Sequence, residues 1–346
     1  MRVTVKNLAV KAKQSAYKAS KNHLFIFTLL VLLIFSNTLF SVVIEKVYVG
    51  IKYSFRNYRT NGDVIFIDPF SKKMALYELS SKQILDFYSY IGNFVIAAYD
   101  LKDSYIIVDR TGPSLSKMAL SGELISTVKF DRRIQASIFD SEKIYILLEG
   151  GAAYVFDKNL KQLSASNFTG SPAYMFLWNG KLLGTYLWND NYDVEFLGEK
   201  PVKVGLTTPS ILVNDLLVDT RGGKVYNLAT GKITKLASYI SSAYYDKDSG
   251  YYYISSMSNS TVYIVKDDSV VDSFQVPFTP TQISKIGNFI VTLSAPYNKV
   301  MVTTNGKDIT VLDTGDYPLE IFKIGNSNTS FAVYCSDSGE VYYYYF

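Results

Sequence analysis

The chain has 346 residues, of which 15% are aromatic and only 19% are charged, and its formal net charge at pH 7 is +4. This richness in β-favouring and aromatic side chains excludes an intrinsically disordered protein. Residues 1–23 hold six of the 35 basic residues and no acid, which leaves 29 bases against 31 acids in the remainder. A near-neutral remainder argues against nucleic-acid binding by the large domain.

Residues 1–23 form a basic tail that we predict to be a weakly amphipathic helix inside the cell or particle. Its apolar face would carry Val5, Leu8, Ala12, Ala16 and Ala19. Its basic residues are the candidate contacts with anionic lipid headgroups, namely Arg2, Lys6, Lys11, Lys13, Lys18 and Lys21. Contact with nucleic acid beneath a virion envelope is the alternative partner of this tail.

Residues 24–44 are an uncharged apolar run that predicts a single transmembrane helix. At about 1.5 Å per residue such a helix matches a bilayer core of roughly 30 Å. The positive-inside rule then keeps the N-terminus inside and places residues 45–346 outside, at a cell surface or on a virion envelope. A cleaved signal peptide is the competing interpretation, but the long basic stretch before the run favours an uncleaved anchor.

Three polar residues, Ser36, Asn37 and Thr38, interrupt the apolar run near its middle. Their side chains would either bond back to helix carbonyls or face another helix in an oligomer. Residues 45–61 follow as a predicted connector to the large domain.

Residues 62–346 read as an all-β domain, because short runs of β-forming residues alternate with turn residues. A hairpin turn recurs between these runs, with markers at Gly122, Lys158, Glu199, Gly231, Asp268 and Gly306. The intervals are 36, 41, 32, 37 and 38 residues. Periods near 40 with four strands per unit are typical of propeller blades. Residues 68–72 are read as a further member of this turn series.

A second repeat supports the propeller. Residues 90–96 echo residues 285–291, and residues 323–326 echo the first half again. Each copy is interpreted as the turn from the inner to the second strand of a blade. These residues resemble the degenerate repeats of the β-propeller superfamily, of the YVTN-like and quinoprotein-like types, over about residues 62–346. The resemblance implies the fold and carries over no active site.

We predict seven four-stranded blades, with six or eight as alternatives. The closing blade would take three strands from residues 317–346 and its outer strand from residues 72–80, which seals the ring. Residues 63–67 are then left over, and the stretch between Gly92 and Gly122 holds one strand too many.

No catalytic constellation is visible in the large domain. The only histidine is His23, which excludes histidine-based triads and histidine-ligated zinc there. Four acids near strand ends, Asp100, Asp140, Asp190 and Asp219, are candidates for a glycosidase pair, but turns favour Asp for its own hydrogen bonds. Residues 246–250 resemble the start of a calcium loop and are interpreted as a hairpin turn. We therefore predict no enzyme, metal or cofactor.

Further side chains bear on the environment of the domain. Cys335 is the single cysteine and is predicted to be a buried apolar residue, without a disulfide. Asn167, Asn259 and Asn328 stand in glycosylation sequons, which agrees with export. The low charge and hydroxyl-rich composition resemble membrane proteins of acid-loving archaea and their viruses.

The sequence thus predicts a membrane-anchored surface protein whose propeller binds proteins or glycans, or serves assembly as a spike, adhesin or envelope subunit. One alternative is an exported propeller enzyme such as a glycosidase. The other is an envelope-biogenesis scaffold that holds partners on its blade edges.

Overall fold

The computed structural model describes residues 42–346 except 55–57, 61–62 and 90–91, and the side chains of residues 58–60 and 87–89 are also outside the description. The chain divides into two compact units. One comprises Met1–Ile44 with Tyr344–Phe346, and the other is Glu45–Tyr343. In the first unit, Val43 and Ile44 begin a strand, and Tyr344 and Tyr345 end another.

Across the described ranges, 31 strands form eight antiparallel sheets, and the helical content is one short 3-10 turn at Ala295–Tyr297. The sheets are numbered 1–8 in the order in which their inner strands follow one another along the chain. Sheet 1 comprises β2 (Tyr58–Thr60), β3 (Asp63–Asp68), β4 (Lys73–Glu78) and β5 (Gln83–Ser89), and sheet 2 comprises β6 (Val95–Asp100), β7 (Ser104–Asp109), β8 (Ser114–Ala119) and β9 (Leu124–Lys129). Sheet 3 comprises β10 (Ile134–Phe139), β11 (Lys143–Leu148), β12 (Ala152–Asp157) and β13 (Gln162–Asn167), and sheet 4 comprises β14 (Tyr174–Trp178), β15 (Lys181–Thr185) and β16 (Val194–Phe196).

Sheet 5 comprises β17 (Pro209–Val213), β18 (Leu216–Asp219), β19 (Lys224–Asn227) and β20 (Ile233–Lys235), and sheet 6 comprises β21 (Ile240–Asp246), β22 (Tyr251–Ser256), β23 (Thr261–Lys266) and β24 (Ser269–Gln275). Sheet 7 comprises β25 (Gln282–Ile286), β26 (Phe289–Ser294), β27 (Lys299–Thr303) and β28 (Ile309–Asp313), and sheet 8 comprises β29 (Pro318–Lys323), β30 (Ser330–Cys335), β31 (Glu340–Tyr345) and β1 (Val43–Tyr48). Within each sheet the strands are ordered from inner to outer. Sheet 4 has three strands, and Val202 adds a single antiparallel bridge to Val194.

Burial explains why these sequences form strands. The second strand of a sheet is covered on both faces by neighbouring sheets, so β7 and β30 are buried along their whole length and rich in Ile, Val, Phe and Tyr. The outer strand β13 is exposed throughout and is correspondingly polar. Burial is thus highest in the second strand of a sheet and falls toward the outer strand, as from β7 to β8 and β9.

Each sheet packs against the next. Apolar clusters join sheets 1 and 2, 2 and 3, 3 and 4, 4 and 5, 5 and 6, and 6 and 7. Sheets 7 and 8 meet where the amide of Ile321 donates to Gln282 Oε1 at 2.7 Å. Sheets 8 and 1 meet where the Tyr77 and Tyr343 hydroxyls lie 2.7 Å apart. These contacts close the ring, and the unit is an eight-bladed β-propeller.

The predicted all-β propeller is confirmed, whereas the count of seven blades is wrong. The Ile-Gly-Asn sequence at residues 91–93 lies between β5 and β6, before an inner strand, while the copies at residues 286–288 and 324–326 follow inner strands. The interpretation of all three copies as the turn after an inner strand placed an inner strand before Gly92. The inner strand of that sheet is β6, after Gly92, which accounts for the additional strand between Gly92 and Gly122.

The closing blade is confirmed in part. Its three strands β29, β30 and β31 come from the C-terminal residues as predicted, but its outer strand is β1 and not residues 72–80. Residues 63–67, which had no assigned place, belong to β3 of sheet 1. The stretch predicted as a connector, residues 45–61, contains most of β1 and all of β2.

The predicted single-pass membrane topology is corrected. Within residues 42–346, in the parts that the structure describes, no helix is long and apolar enough to cross a membrane. Val43 and Ile44, the end of the predicted transmembrane helix, begin strand β1 instead. Residues 24–41 and the whole basic tail lie outside the described residues, including the candidate lipid contacts Arg2, Lys6, Lys11, Lys13, Lys18 and Lys21.

Candidate interaction face

Two kinds of connection meet at one end of the sheets, which we call the upper face. Crossover loops run from the outer strand of one sheet to the inner strand of the next, and middle turns join the second and third strands. Because neighbouring strands are antiparallel, both kinds lie at the same strand ends. Hydrogen bonds tie them together: the Tyr53 amide donates to the Ser336 carbonyl at 3.1 Å, and the Tyr239 amide donates to the Arg221 carbonyl at 3.4 Å.

Exposed aromatic side chains concentrate on the upper face. Among the described residues, the aromatic side chains that are 43–69% exposed on its crossover loops and middle turns are Tyr53, Phe70, Trp188, Tyr239, Tyr297 and Tyr317. Where the structure describes side chains, the one further exposed aromatic residue is Tyr48, on outer strand β1. Exposed Leu, Ile and Val side chains lie mainly on outer strands instead, as Ile125 and Leu163 do. Exposed aromatic residues concentrated on one face favour an interaction surface there, whereas scattered aliphatic ones are ordinary.

The arginines follow the same distribution. Every arginine whose side chain the structure describes lies on the upper face: Arg110, Arg132, Arg133 and Arg221. Lysines, in contrast, occur on all surfaces of the domain. Trp, Tyr and Arg are the residues most enriched among the energetic centres of protein interfaces. Their joint placement distinguishes this face from the rest of the molecule.

Several of these aromatic residues have strained backbones. Tyr53, Tyr239 and Tyr317 occupy crossover loops with φ of 56°, 57° and 57°, in the left-handed region. Trp188, in the middle loop of sheet 4, has φ 47°. A left-handed conformation costs a side-chain-bearing residue about 1–2 kcal/mol. Such strain persists where the surrounding structure imposes it. Turns at the other end of the sheets contain the same conformation, as at Lys102 and Ser141, so it shows fixed loops on both faces.

Hydrogen bonds to a buried carboxylate hold the loop that carries Trp188. The carboxylate of Asp193 accepts amide hydrogen bonds from Val204, Gly205 and Leu206 at 2.8–2.9 Å. The guanidinium of Arg221 lies 5.9 Å from the Trp188 ring centre. Trp188 is therefore exposed on a fixed support, which lowers the entropy lost when a partner binds.

Buried aspartates at the ends of second strands hold the crossover loops in place. Asp219 accepts from the amides of Thr207, Thr208 and Gly222, each at 2.9 Å. Burial alone would raise the pKa of the Asp219 carboxyl, but these hydrogen bonds outweigh burial and lower it. Asp109 is held in the same way in sheet 2, by four amides at 2.6–3.1 Å.

A glycine three residues after the aspartate completes this arrangement. A Cβ atom on Gly222 would lie 2.1 Å from Asp219 Oδ2, so only glycine fits there. Gly112 stands in the same relation to Asp109. The sequence pattern is Val-Asp with a Gly three residues after the Asp, and it marks two of the middle turns. The hairpin markers used in the sequence analysis, such as Gly122, identify turns between third and fourth strands instead.

A half-open cavity of about 180 Å³ lies on the upper face between sheets 1, 2 and 3. Its walls are mostly apolar. They are formed by Ile67, Pro69, Phe94, Val95, Ile96, Arg110 and Gln135. A concave apolar site with few polar groups is the usual form of a ligand pocket.

The acids considered for catalysis are not brought together. Asp100 and Asp140 lie in turns between first and second strands, at the opposite end of the sheets, whereas Asp190 and Asp219 lie on the upper face. Asp140 accepts from the amides of Glu142 and Lys143 and from the Tyr145 hydroxyl at 2.7–2.9 Å. Asp100 accepts from the Lys102 amide. These bonds are the turn-forming role that the sequence indicated.

The remaining sequence candidates have ordinary positions. Residues 246–250 form the turn between β21 and β22, and the Asp246 carboxylate pairs with Lys285 at 2.5 Å. The described residues contain no group of three metal-ligating side chains. Cys335 is buried, and burial raises the pKa of its thiol to about 12. The sequon residues Asn167, Asn259 and Asn328 are exposed, and their glycosylation stays a prediction.

No protein-family profile matches the sequence, and a search of curated proteins found no match. The predicted likeness to archaeal and archaeal-virus proteins finds no support in these comparisons. Solved structures do match: Sqt1 from Saccharomyces cerevisiae, at 12% identity and TM-score 0.67, covers 87% of this chain and 98% of its own. BamB from Moraxella catarrhalis, at 12% identity and TM-score 0.61, covers 88% and 100%.

Virginiamycin B lyase from Staphylococcus aureus also matches, at 9% identity and TM-score 0.55 over 88% of this chain and 100% of its own. A form of that lyase with a histidine replaced by alanine is catalytically inactive. At such low identities these similarities concern the fold alone. They agree with the sheet topology in making this chain a β-propeller.

Proposed function

We propose that the chain is a non-catalytic β-propeller that binds partner proteins through its upper face. The observation that carries the proposal is that this face holds most of the exposed aromatic side chains and all of the arginines whose side chains the structure describes. Large aromatic side chains contribute most of the energy of many protein interfaces, and arginine adds directed hydrogen bonds.

The mechanics of the face support the same function. The middle turns and crossover loops are locked by buried carboxylates such as Asp219 and Asp193. A partner would therefore meet a preorganised surface and would lose little entropy in ordering it. Loops that a rigid scaffold positions are the common location of binding residues.

An enzymatic function is the alternative, because one propeller of similar fold is a lyase. That lyase is inactivated when a histidine is replaced, whereas the one histidine of this chain is His23, far from the propeller in sequence. Of the four acids considered for a glycosidase, Asp190 and Asp219 share a face, and the Asp219 carboxylate is buried and occupied by three backbone amides. Both points favour binding over catalysis.

Photo-crosslinking tests the proposal in cells that naturally produce the protein. A photoreactive phenylalanine analogue replaces Trp188 or Tyr297 on the upper face, and Ile125 or Leu163 on outer strands as controls. The four side chains are similarly exposed, at 60%, 54%, 54% and 49%. We expect both upper-face positions to give a crosslinked protein of the same mass, and the two controls to give none.

Other outcomes of this experiment would contradict the proposal. Crosslinks confined to Ile125 and Leu163 would instead favour the scaffold role, with partners bound along the sheet edges. If none of the four positions yields a crosslinked protein, protein binding is contradicted and glycans become the favoured ligands.

A further inference from the structure

The upper-face cavity has the dimensions of one side chain. Its volume of about 180 Å³ exceeds the roughly 150 Å³ at which a dry apolar cavity takes up a benzene ring. Ile67 and Val95 are buried in its wall, and Phe94 and Ile96 are half-buried beside them. A phenylalanine or leucine side chain of a ligand would fill this half-open space and bury apolar surface against its walls.

One charged group lines the cavity, the side chain of Arg110 in the middle turn of sheet 2. Its backbone is fixed, because the Arg110 amide donates to the Phe94 carbonyl at 2.9 Å. Among the described residues its guanidinium forms no ion pair. The carboxylate of neighbouring Asp109 is occupied by four backbone amides. A guanidinium in this setting favours a carboxylate from outside.

Sheet 3 contributes the weakly hydrogen-bonded side-chain amide of Gln135 to the cavity wall. The Gln135 side chain donates to the Ala173 carbonyl at 3.5 Å and accepts from the Ser171 hydroxyl at 3.4 Å. Both distances are at the limit for a hydrogen bond, so better partners would displace them. Arg133, two residues earlier, adds a second positive charge without an ion pair in the described part of the chain.

We propose that the cavity binds an acidic peptide segment of the partner protein, with one Phe- or Leu-sized side chain inside and a neighbouring carboxylate paired with Arg110. The Gln135 amide would bond to the backbone of the segment. This inference rests on the proposed function and specifies the chemistry of the partner. Charge complementarity selects the acidic segment, and the cavity volume selects the side chain.

A peptide selection tests the site before the partner is identified. Short random peptides displayed on phage are selected on the purified full chain, and the enriched sequences are synthesised with a fluorescent label. We expect them to combine Phe or Leu with adjacent Asp or Glu. Their affinity, measured by fluorescence polarisation, should fall about tenfold or more in Arg110→Ala, because charge-assisted hydrogen bonds are lost. Arg110→Lys should retain part of it.

Lys161→Ala is the matched control, since Lys161 is an exposed basic residue in the turn between β12 and β13, at the end of the sheets opposite the cavity. It should leave peptide affinity unchanged. The inference is overturned if no sequence is enriched, if the enriched peptides lack acidic residues, or if Arg110→Ala and Lys161→Ala have equal effects.

Failure of the inference and failure of the proposed function give different results. Crosslinking from Trp188 and Tyr297 together with peptides that ignore Arg110 would reject the acidic-segment site alone. If peptide affinity depends on Arg110 but Trp188 and Tyr297 give no crosslinks in cells, the peptide site is supported. The wider upper face is then rejected as the surface that binds partner proteins.

Discussion

Replacing Phe66 with alanine is expected to lower the free energy of unfolding by about 3–5 kcal/mol, the usual cost of removing a buried aromatic side chain. Phe66 is fully buried where sheets 8 and 1 close the ring. Its ring centre lies 4.6 Å from that of Tyr334 and 6.1 Å from that of Phe322. The substitution would leave a cavity in the contact that seals the propeller.

Urea denaturation at neutral pH measures this effect, and Phe70→Ala is the control. Phe70 lies in the same hairpin, four residues later, but is 69% exposed. Its removal should change the stability by less than about 0.5 kcal/mol. Equal losses for the two variants would show that sheets 8 and 1 do not pack as described.

Replacing Asp219 with asparagine should destabilise the protein by about 3 kcal/mol at pH 7, because buried amides lose their charged acceptor. Asp219 is fully buried and accepts from three backbone amides and from the Thr208 hydroxyl. An asparagine would direct an N–H toward one of these donors. The crossover loop into sheet 5 should loosen in consequence.

The pH dependence of this effect has a definite sign. Because folding lowers the pKa of Asp219, its stabilising contribution is complete above the unfolded-state value of about 3.9 and is lost as the pH falls through the lower folded-state value. The difference in stability between the parent protein and Asp219→Asn should therefore be full at pH 7 and shrink below about pH 4. Denaturation at a series of pH values measures it.

Asp190→Asn is the control for both measurements, since Asp190 is exposed on the middle loop of sheet 4. It should leave stability and its pH profile nearly unchanged. A parent–variant difference for Asp219→Asn that stays constant from pH 7 down to the acid transition would contradict the assigned role of the carboxylate.

The fold was predictable because turns repeat locally. The hairpins marked by Gly122 and Gly306 connect third and fourth strands at regular spacing, and this spacing identifies blades independently of how the sheets pack. Blade number was not predictable from the Ile-Gly-Asn repeats, because one copy precedes the inner strand β6 in the sequence whereas another stands at the end of the inner strand β25. A turn sequence specifies backbone conformation and not the position of its strands within a sheet.

The interaction face was harder to predict for a different reason. Tyr239 is half-exposed and Tyr253 is buried, yet both stand in runs of β-forming residues. Tyrosine suits either environment, so composition alone does not reveal which rings reach solvent. The carboxylates were easier, because the turn-forming preference of Asp already explained Asp140 and Asp219.

The affinity of the partner captured by crosslinking tests the central claim most directly. Titration calorimetry compares the unmodified protein with Trp188→Ala and Leu163→Ala, both of which remove exposed side chains. Loss of an interface hot spot costs about 2 kcal/mol or more, which corresponds to about thirtyfold in affinity. We predict such a loss for Trp188→Ala and none for Leu163→Ala. Undiminished affinity in Trp188→Ala, with weakened binding in Leu163→Ala, would contradict the upper face as the binding surface.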